Sequence, residues 1–453
     1  MSDDARDLPA GAGRGAPLTI DFEGQSLRAF AGESVAVALW ANDVRTLGRS
    51  SKYHRSRGAF CLDGHCASCY LRIDGRPNLR ACMTPAVPGL RCERQNAFPT
   101  VDVDLLTAAD WLFPGGMDHH TLMTGTRLGN RLFLKLVRQM GGSGTLPDAD
   151  AVSAADAAAT LDSPRTMTVD LCVVGAGPAG LAAAQAAASS PSRPRVLVVD
   201  EQATPGGSLL AEPGGAQRAT ALADAARAAG AQLMARATAI AFYPEDLGRD
   251  GQPGVLAVAT PAHLLRVSAR RFLYATGAYD QNLPFADNDR PGIISARACG
   301  RLAFHHGVRP AHADGRIIVL AGTPHAFRLA AGLTDAGLDV AVVDLARQQV
   351  VSARGVQAVR GLDVTGPAAE DTRTIHGEIV AVGVTPAPAS ELPRQHGARV
   401  LLDPGLGGFA VQVDAQQQCA PGVHACGDVT GYRGPDAALD AGRLAGQAIG
   451  HQP

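Results

Sequence analysis

Aromatic residues are scarce in this chain, 4 % of 453 positions, and neither sign of charge dominates: 41 basic against 43 acidic residues give a formal net charge of −2. A near-neutral chain carries no electrostatic footprint for nucleic acid or for an anionic membrane. No apolar run approaches the ~20 residues a membrane-spanning helix requires. The opening residues, MSDDARDLPAGAGRGAP, have no apolar stretch of the kind an export signal needs. The nine cysteines therefore fit a reducing compartment better than a disulfide framework. A cytoplasmic location is expected, with any membrane attachment peripheral, at the inner face and through a partner. The sequence also shows no Ser/His/Asp set, no paired acid–base carboxylates and no CxxC outside one short loop. Nucleophilic hydrolysis and disulfide exchange are thereby disfavoured.

What is present begins with that loop. Cys61, Cys66 and Cys69 lie in FCLDGHCASCY, and Cys82 follows in RACM. C-x4-C-x2-C with a more distant fourth cysteine is the ligand pattern of a plant-type 2Fe–2S cluster, in which four thiolates hold two irons. Gly64 permits the tight path and leaves room for amide N–H groups to approach the sulfurs. Zinc is the alternative, but structural zinc sites pair cysteines as two CxxC knuckles, and only Cys66 and Cys69 form one. Cys92 is a second candidate for the fourth ligand. Cys172, Cys299, Cys419 and Cys426 read as structural thiols. The run Lys52-Tyr53-His54-Arg55 reads as a solvated basic face or as a docking surface over the loop. Adjacent pairs such as His119–His120 and His305–His306 point apart and make poor chelators.

Along the chain, residues 1–17 read as disordered. Residues 18–104 form strand, turn, strand, helix, cysteine loop and hairpin, the order of a β-grasp ferredoxin-like domain. Residues 105–165 are a helical segment and linker. Residues 166–288 and 385–453 carry a dinucleotide-binding domain, with a second, degraded one at 289–384. The fold class is thus α/β, an α+β ferredoxin-like domain followed by two Rossmann-like domains.

The first dinucleotide unit is the stronger. MTVDLCVV, GAGPAG, LAAAQAAA and RVLVVDEQ give strand, tight turn, helix, strand. Gly175 makes the turn, Gly177 lets backbone approach a pyrophosphate, and Gly180 lets the helix pack closely. Pro178 and Ala179 open the helix, whose N-terminus faces the phosphates. Asp200 is expected to bind a ribose hydroxyl, with Glu201 and Gly207 nearby. Thr276–Gly277 ends another buried strand, and Gly427–Asp428 ends a third before a helix. In flavoproteins with two dinucleotide domains such an Asp meets the ribityl chain, which favours FAD over a free nicotinamide. In the second unit the loop reads AGTPHAF. Only Gly322 remains, with Pro324 and Phe327 at the other glycine positions and Phe327 expected at the helix–strand contact. This argues against tight NAD(P)H binding.

These motifs carry a family resemblance. GRSSKYHRSRGAFCLDGHCASCYLRIDGRPNLRACM resembles the N-terminal region of the sarcosine oxidase α subunit. It also resembles the small 2Fe–2S subunits of hydrogen cyanide synthase and of opine and hydroxyproline dehydrogenases. VVGAGPAGLAAAQAA, VVDEQATPGGSL, ATGAYDQNLPF-ADNDRPGIISA and HACGDVTG resemble the flavoprotein subunits of the same systems, so the chain looks like a fusion of the two. The resemblance implies a thioredoxin-reductase-like flavoprotein module with a 2Fe–2S cluster and FAD, NAD or ATP replacing or joining FAD in some relatives. It further implies a glycine-oxidase-like, FAD-dependent catalytic partner, a further small subunit, and an acceptor such as a quinone. Sarcosine oxidase α usually lacks the cluster cysteines, all four of which are here. The aminomethyltransferase-like half of that subunit has no counterpart in these residues, which disfavours folate-linked demethylation.

Overall fold

Alternating apolar residues in LTIDF and SLRAF face one side of a sheet, and the Glu23–Gly24 turn, both residues at positive φ, folds them into a hairpin, Pro17–Phe22 with Gln25–Phe30. The computed structural model describes residues 5–11, 13–113, 125–141, 146–158, 164–244, 254–366 and 372–451. His119–His120 lie outside them. The described chain divides into two units, residues 1–159 with 282–321 and 333–382, and residues 160–281 with 322–332 and 383–453.

In the first unit the hairpin belongs to a five-stranded sheet. Pro17–Phe22 runs parallel to Arg91–Glu93, which lies beside Tyr70–Ile73 and, beyond it, Arg76–Arg80. The helix Val35–Ala41 is buried throughout and is capped by Ser34, whose hydroxyl accepts from Val37 N–H. Ferredoxin-like order therefore follows from the period-2 strands and one apolar helix. A second sheet in this unit places Ile293–Ser295, Ile379–Gly383, Ile317–Ala321 and Val340–Asp344 side by side.

Disorder is not what the structure shows over residues 5–11 and 13–17. The strand begins at Pro17, and residues 5–11 are packed. Arg6 is buried and donates through Nε and Nη2 to Glu33 at 2.7 and 2.8 Å. Leu8 N–H and Gly11 N–H donate to Gly307 and Phe304 carbonyls. A polar segment orders when its charge finds a bidentate partner and its amides find carbonyls.

In the second unit a six-strand path runs Gln232–Met234, Val196–Val199, Arg165–Val174, Leu264–Tyr274, Val255–Ala259, Thr238–Tyr243. The first four are mutually parallel, and Val423–Ala425 joins parallel to the end of Leu264–Tyr274. The Ala-rich helix Pro178–Ala188 packs on the helix Pro435–Gly450. The contact works through absent side chains: a Cβ on Gly442 would lie 2.1 Å from Ala179 O, and one on Gly446 would lie 2.3 Å from Ala183 O. Residues 105–112 and 127–141 include the helices Ala108–Leu112 and Arg127–Gly141, and the linker holds Ala149–Ala158.

Because the obstacle is backbone, Gly442→Ala must part the two helices. We expect a loss of about 1–3 kcal/mol, seen as a fall in the thermal midpoint of roughly 2–4 °C per kcal/mol. An unmoved midpoint would show that the helices separate freely.

Candidate functional site

The thiol loop lies in the first unit. Its backbone enters the left-handed region at Leu62 (φ 49°), Gly64 (φ 88°) and Ala67 (φ 57°). That region costs a residue with a β-carbon about 1–2 kcal/mol and persists where surroundings over-determine it. The turns aim amides at sulfur: Asp63 N–H donates to Cys61 Sγ at 3.4 Å, Ser68 N–H to Cys66 and Gly64 N–H to Cys82.

The sulfurs pair off, Cys61 hydrogen-bonded to Cys66 and Cys82 to Cys69. In each pair that bond raises one thiol, Cys61 and Cys82, and lowers the other, Cys66 and Cys69, against a burial that pushes all of them up. Among the described residues no three His, Cys, Asp or Glu side chains converge as on a single metal ion. Two adjoining thiol pairs suit two irons and do not suit one tetrahedral zinc. Cys92 stands elsewhere, on the strand Arg91–Glu93 opposite Phe22 and Ile73, and burial, with Asp74 and Asp21, pushes its thiol up to about 12.

The basic run before the loop is only in part a solvated face. His54 is fully buried, its Nδ1 2.7 Å from Asp104 Oδ2, and Arg55 pairs with Asp110. Neither carboxylate is near in sequence, which is why the run alone reads as exposed.

The second unit brings the remaining motif residues together. Gly175 sits at φ 105°, and a Cβ there would lie 2.2 Å from Ala275 O, while one on Gly180 would lie 1.9 Å from Gly175 O. Gly177 caps the helix that Pro178 and Ala179 begin, and the nearest outside atom to a Cβ on it is Gly207 Cα at 3.9 Å. Gly206 N–H donates to Ala176 O at 2.8 Å, closing the PGG turn onto the first. Thr276 Oγ1 donates to Ala389 O at 2.7 Å, and Gly277 O accepts Ala389 N–H. Gly427, at φ 79°, and the buried Asp428 lie against the helix start, a Gly427 Cβ falling 2.8 Å from Ala179 Cβ.

Asp200, expected to bind a ribose hydroxyl, also has backbone partners. Its Oδ2 accepts Ala176 N–H at 2.5 Å and its Oδ1 accepts Gln202 N–H at 2.7 Å. This carboxylate braces the glycine turn. Glu201, half-buried, follows it.

Sequence reading missed a polar cluster around the buried Glu212 beside the degraded loop. His325 Nδ1 is 2.9 Å from Glu212 Oε1, and Arg328 donates to both Glu212 oxygens at 2.9 and 3.2 Å. Burial pushes the Glu212 carboxyl up, but His325 and Arg328 more than offset this and hold it at about 2. Phe327, expected at a helix–strand contact, is 45 % exposed, while Ala326 and Leu329 are buried. The helix starts at Pro324, which turns Phe327 outward.

Residues 169–445 match the pyridine nucleotide-disulphide oxidoreductase family, more than half of the chain. The chain belongs to that family. Residues 15–97 match the 2Fe–2S iron-sulfur cluster binding domain. Sarcosine oxidase subunit alpha of Rhizobium meliloti (strain 1021) is 30 % identical over 415 residues, 82 % of this chain and 40 % of that subunit. Hydrogen cyanide synthase subunit HcnA of Pseudomonas aeruginosa is 43 % identical over 81 residues, 18 % of this chain and 77 % of that one. The chain thus spans about two fifths of the sarcosine oxidase subunit it matches. Crystalline L-proline dehydrogenase from P. horikoshii shares the fold, with TM-score 0.71 at 19 % identity over 97 % of this chain and 74 % of that one. This pyridine nucleotide-disulphide oxidoreductase carries a 2Fe–2S cluster and FAD, and the paired thiols and side-chain-free turn fit those groups. Among the described residues no helix is long and apolar enough to cross a membrane.

Two outcomes test these sites. Cys82→Ser should abolish the cluster's visible absorption, whereas Cys92→Ser should leave iron content unchanged; equal loss in both would reverse the choice of fourth thiol. The second concerns Glu212. A carboxyl held below its ordinary 4.5 contributes stability that is complete above that value and fades as pH falls toward about 2. The midpoint difference between wild type and Glu212→Gln should therefore shrink on acidification through that window. A constant difference would mean that the ion cluster adds nothing.

Proposed function

We propose that this chain is the electron-transferring subunit of a multi-subunit amino-acid or secondary-amine dehydrogenase or oxidase, of the sarcosine, proline/hydroxyproline, opine or glycine type. Cys61, Cys66, Cys69 and Cys82 hold the cluster. Gly175, Gly177, Pro178, Ala179 and Gly180 present backbone amides to the FAD pyrophosphate, with Gly207 closing over them. Asp200 and the adjacent Glu201 are the acids that take the ribose hydroxyl, Asp200 keeping lone pairs free after accepting two amides. Thr276, Gly277, Gly427 and Asp428 line the path toward the ribityl chain. When bound, the flavin supplies hydride acceptance and release of single electrons, so the protein's task is to bind, orient and shield. The C–N bond is oxidised on a glycine-oxidase-like FAD-dependent partner, with a further small subunit, and electrons leave to a quinone or similar acceptor.

The observation that carries this reading is one chain holding both a paired-thiol loop and a side-chain-free dinucleotide turn, while its second nucleotide loop is occupied by a buried His325–Glu212 pair. Relatives named as subunits support it. The competing reading is a self-contained NAD(P)H-dependent reductase. Anaerobic titration separates them: NADH should leave the flavin oxidised, and dithionite should reduce both centres. Rapid bleaching by NADH would replace the subunit reading with the reductase.

A further inference from the structure

The thiol loop is held by a charge from far along the chain. Arg301 is 7 % exposed, and its Nη2 lies 2.9 Å from Asp63 Oδ2, one residue beyond Leu62 in the loop. Its Nη1 donates to the carbonyl of Cys61 at 3.3 Å. Ser295 N–H donates to Phe60 O at 2.9 Å, so the same stretch also grips the residue before Cys61. The local backbone is unusual. After the short helix Ala296–Gly300 the chain makes a π-turn over Arg301–His305, a geometry found often at functional positions. The imidazoles of His305 and His306 carry no competing charge near neutrality. Burial, then the neighbouring cations, lowers His305 to about 4 and His306 well below its usual range. Arg80 approaches from the loop's own hairpin, donating to Gly64 O at 2.5 Å.

We propose that Arg301 and Asp63 form a charge pair that sets the reduction potential of the 2Fe–2S cluster, Arg301 acting as a positioning and tuning residue. The inference rests on the assignment of Cys61, Cys66, Cys69 and Cys82 as ligands. Reduction adds one electron and one negative charge to the cluster; no bond forms or breaks. A fixed cation in a water-poor site stabilises that added charge, and an anion opposes it. The paired groups nearly cancel. Removing one exposes the cluster to the other.

The test is an EPR-monitored redox titration of the full chain with dithionite and mediators. Arg301→Gln should lower the equilibrium constant for cluster reduction about tenfold, which is ~59 mV for a one-electron couple. Asp63→Asn should raise it by a similar factor, and Arg301→Lys, which keeps the charge, should stay closer to wild type than Arg301→Gln. Opposite signs for Arg301→Gln and Asp63→Asn are the expected signature. Shifts of the same sign, or none, would reduce Arg301 to a structural latch and overturn the proposal. Should Arg301→Gln fail to fold, the Asp63→Asn and Arg301→Lys results decide alone. Iron and acid-labile sulfide counts read the ligand assignment separately. Wild-type protein without iron would overturn both that assignment and the inference, whereas two irons with unmoved potentials would overturn the inference alone.

Discussion

Backbone touching backbone, with no side chain between, is the constraint on which the second unit depends. A Cβ on Gly180 would meet Gly175 O at 1.9 Å, and one on Gly175 would meet Ala275 O at 2.2 Å. The helix Pro435–Gly450 comes as near to Pro178–Ala188 through Gly442 and Gly446. Together these approaches close the glycine turn on itself, set it against the strand end at Ala275, and seat the Pro435–Gly450 helix on the helix that the turn opens. The reward for so many glycines is a crevice walled by amides instead of side chains, where an anion finds donors and the positive end of a helix dipole. The cost is conformational entropy lost at every glycine. The Ala-rich sheet–helix layers and the Asp200 carboxylate, accepting the Ala176 N–H of the turn, offset it.

The thiol loop solves the opposite problem. There the side chains are the purpose, and the backbone bends to serve them. Leu62 and Ala67 hold left-handed conformations that cost energy without a compensating partner. The compensation comes from N–H to sulfur contacts and from carbonyls caught by arginines, Cys61 O by Arg301 and Gly64 O by Arg80. Buried thiols resist ionising, and sharing a hydrogen bond within each pair offsets that burial for one member, Cys66 and Cys69.

How much of this was legible depended on the range of the interaction. Cys61, Cys66 and Cys69 announce themselves because cluster ligands repeat at short spacing, and Gly175 to Gly180 because one turn and one helix contain the whole motif. Cys82 is preferred to Cys92 because RACM after the hairpin matches the family that the chain resembles, and in space Cys82 pairs with Cys69. The amide partners of Asp200 were not foreseen, because the pattern says where an acid stands and not what it faces. His54 with Asp104, Arg6 with Glu33, and Glu212 with His325 pair across separations that no local period reports. Phe327 turned outward because the helix begins at Pro324, a register that the loop composition left open. The Gly442–Gly446–Gly450 spacing was readable in principle, as small residues one helical turn apart.

The second βαβ element shows why a fold persists after its usual ligand chemistry fades. Strand Ile317–Ala321, helix Pro324–Asp335 and strand Val340–Asp344 keep the rhythm of a nucleotide site. Its loop has given up the glycines and gained His325, whose Nδ1 is bound to a carboxylate that Arg328 also holds. Separating Glu212 from its partners is costly, because it strands a buried carboxylate in low dielectric. Meanwhile the segment just before the strand Ile317–Ala321, through Ser295 and Arg301, grips the backbone of Phe60 and Cys61 and the carboxylate of Asp63. Loss of Arg301 would release the Cys61 carbonyl and remove a cation from beside Asp63 and the thiols.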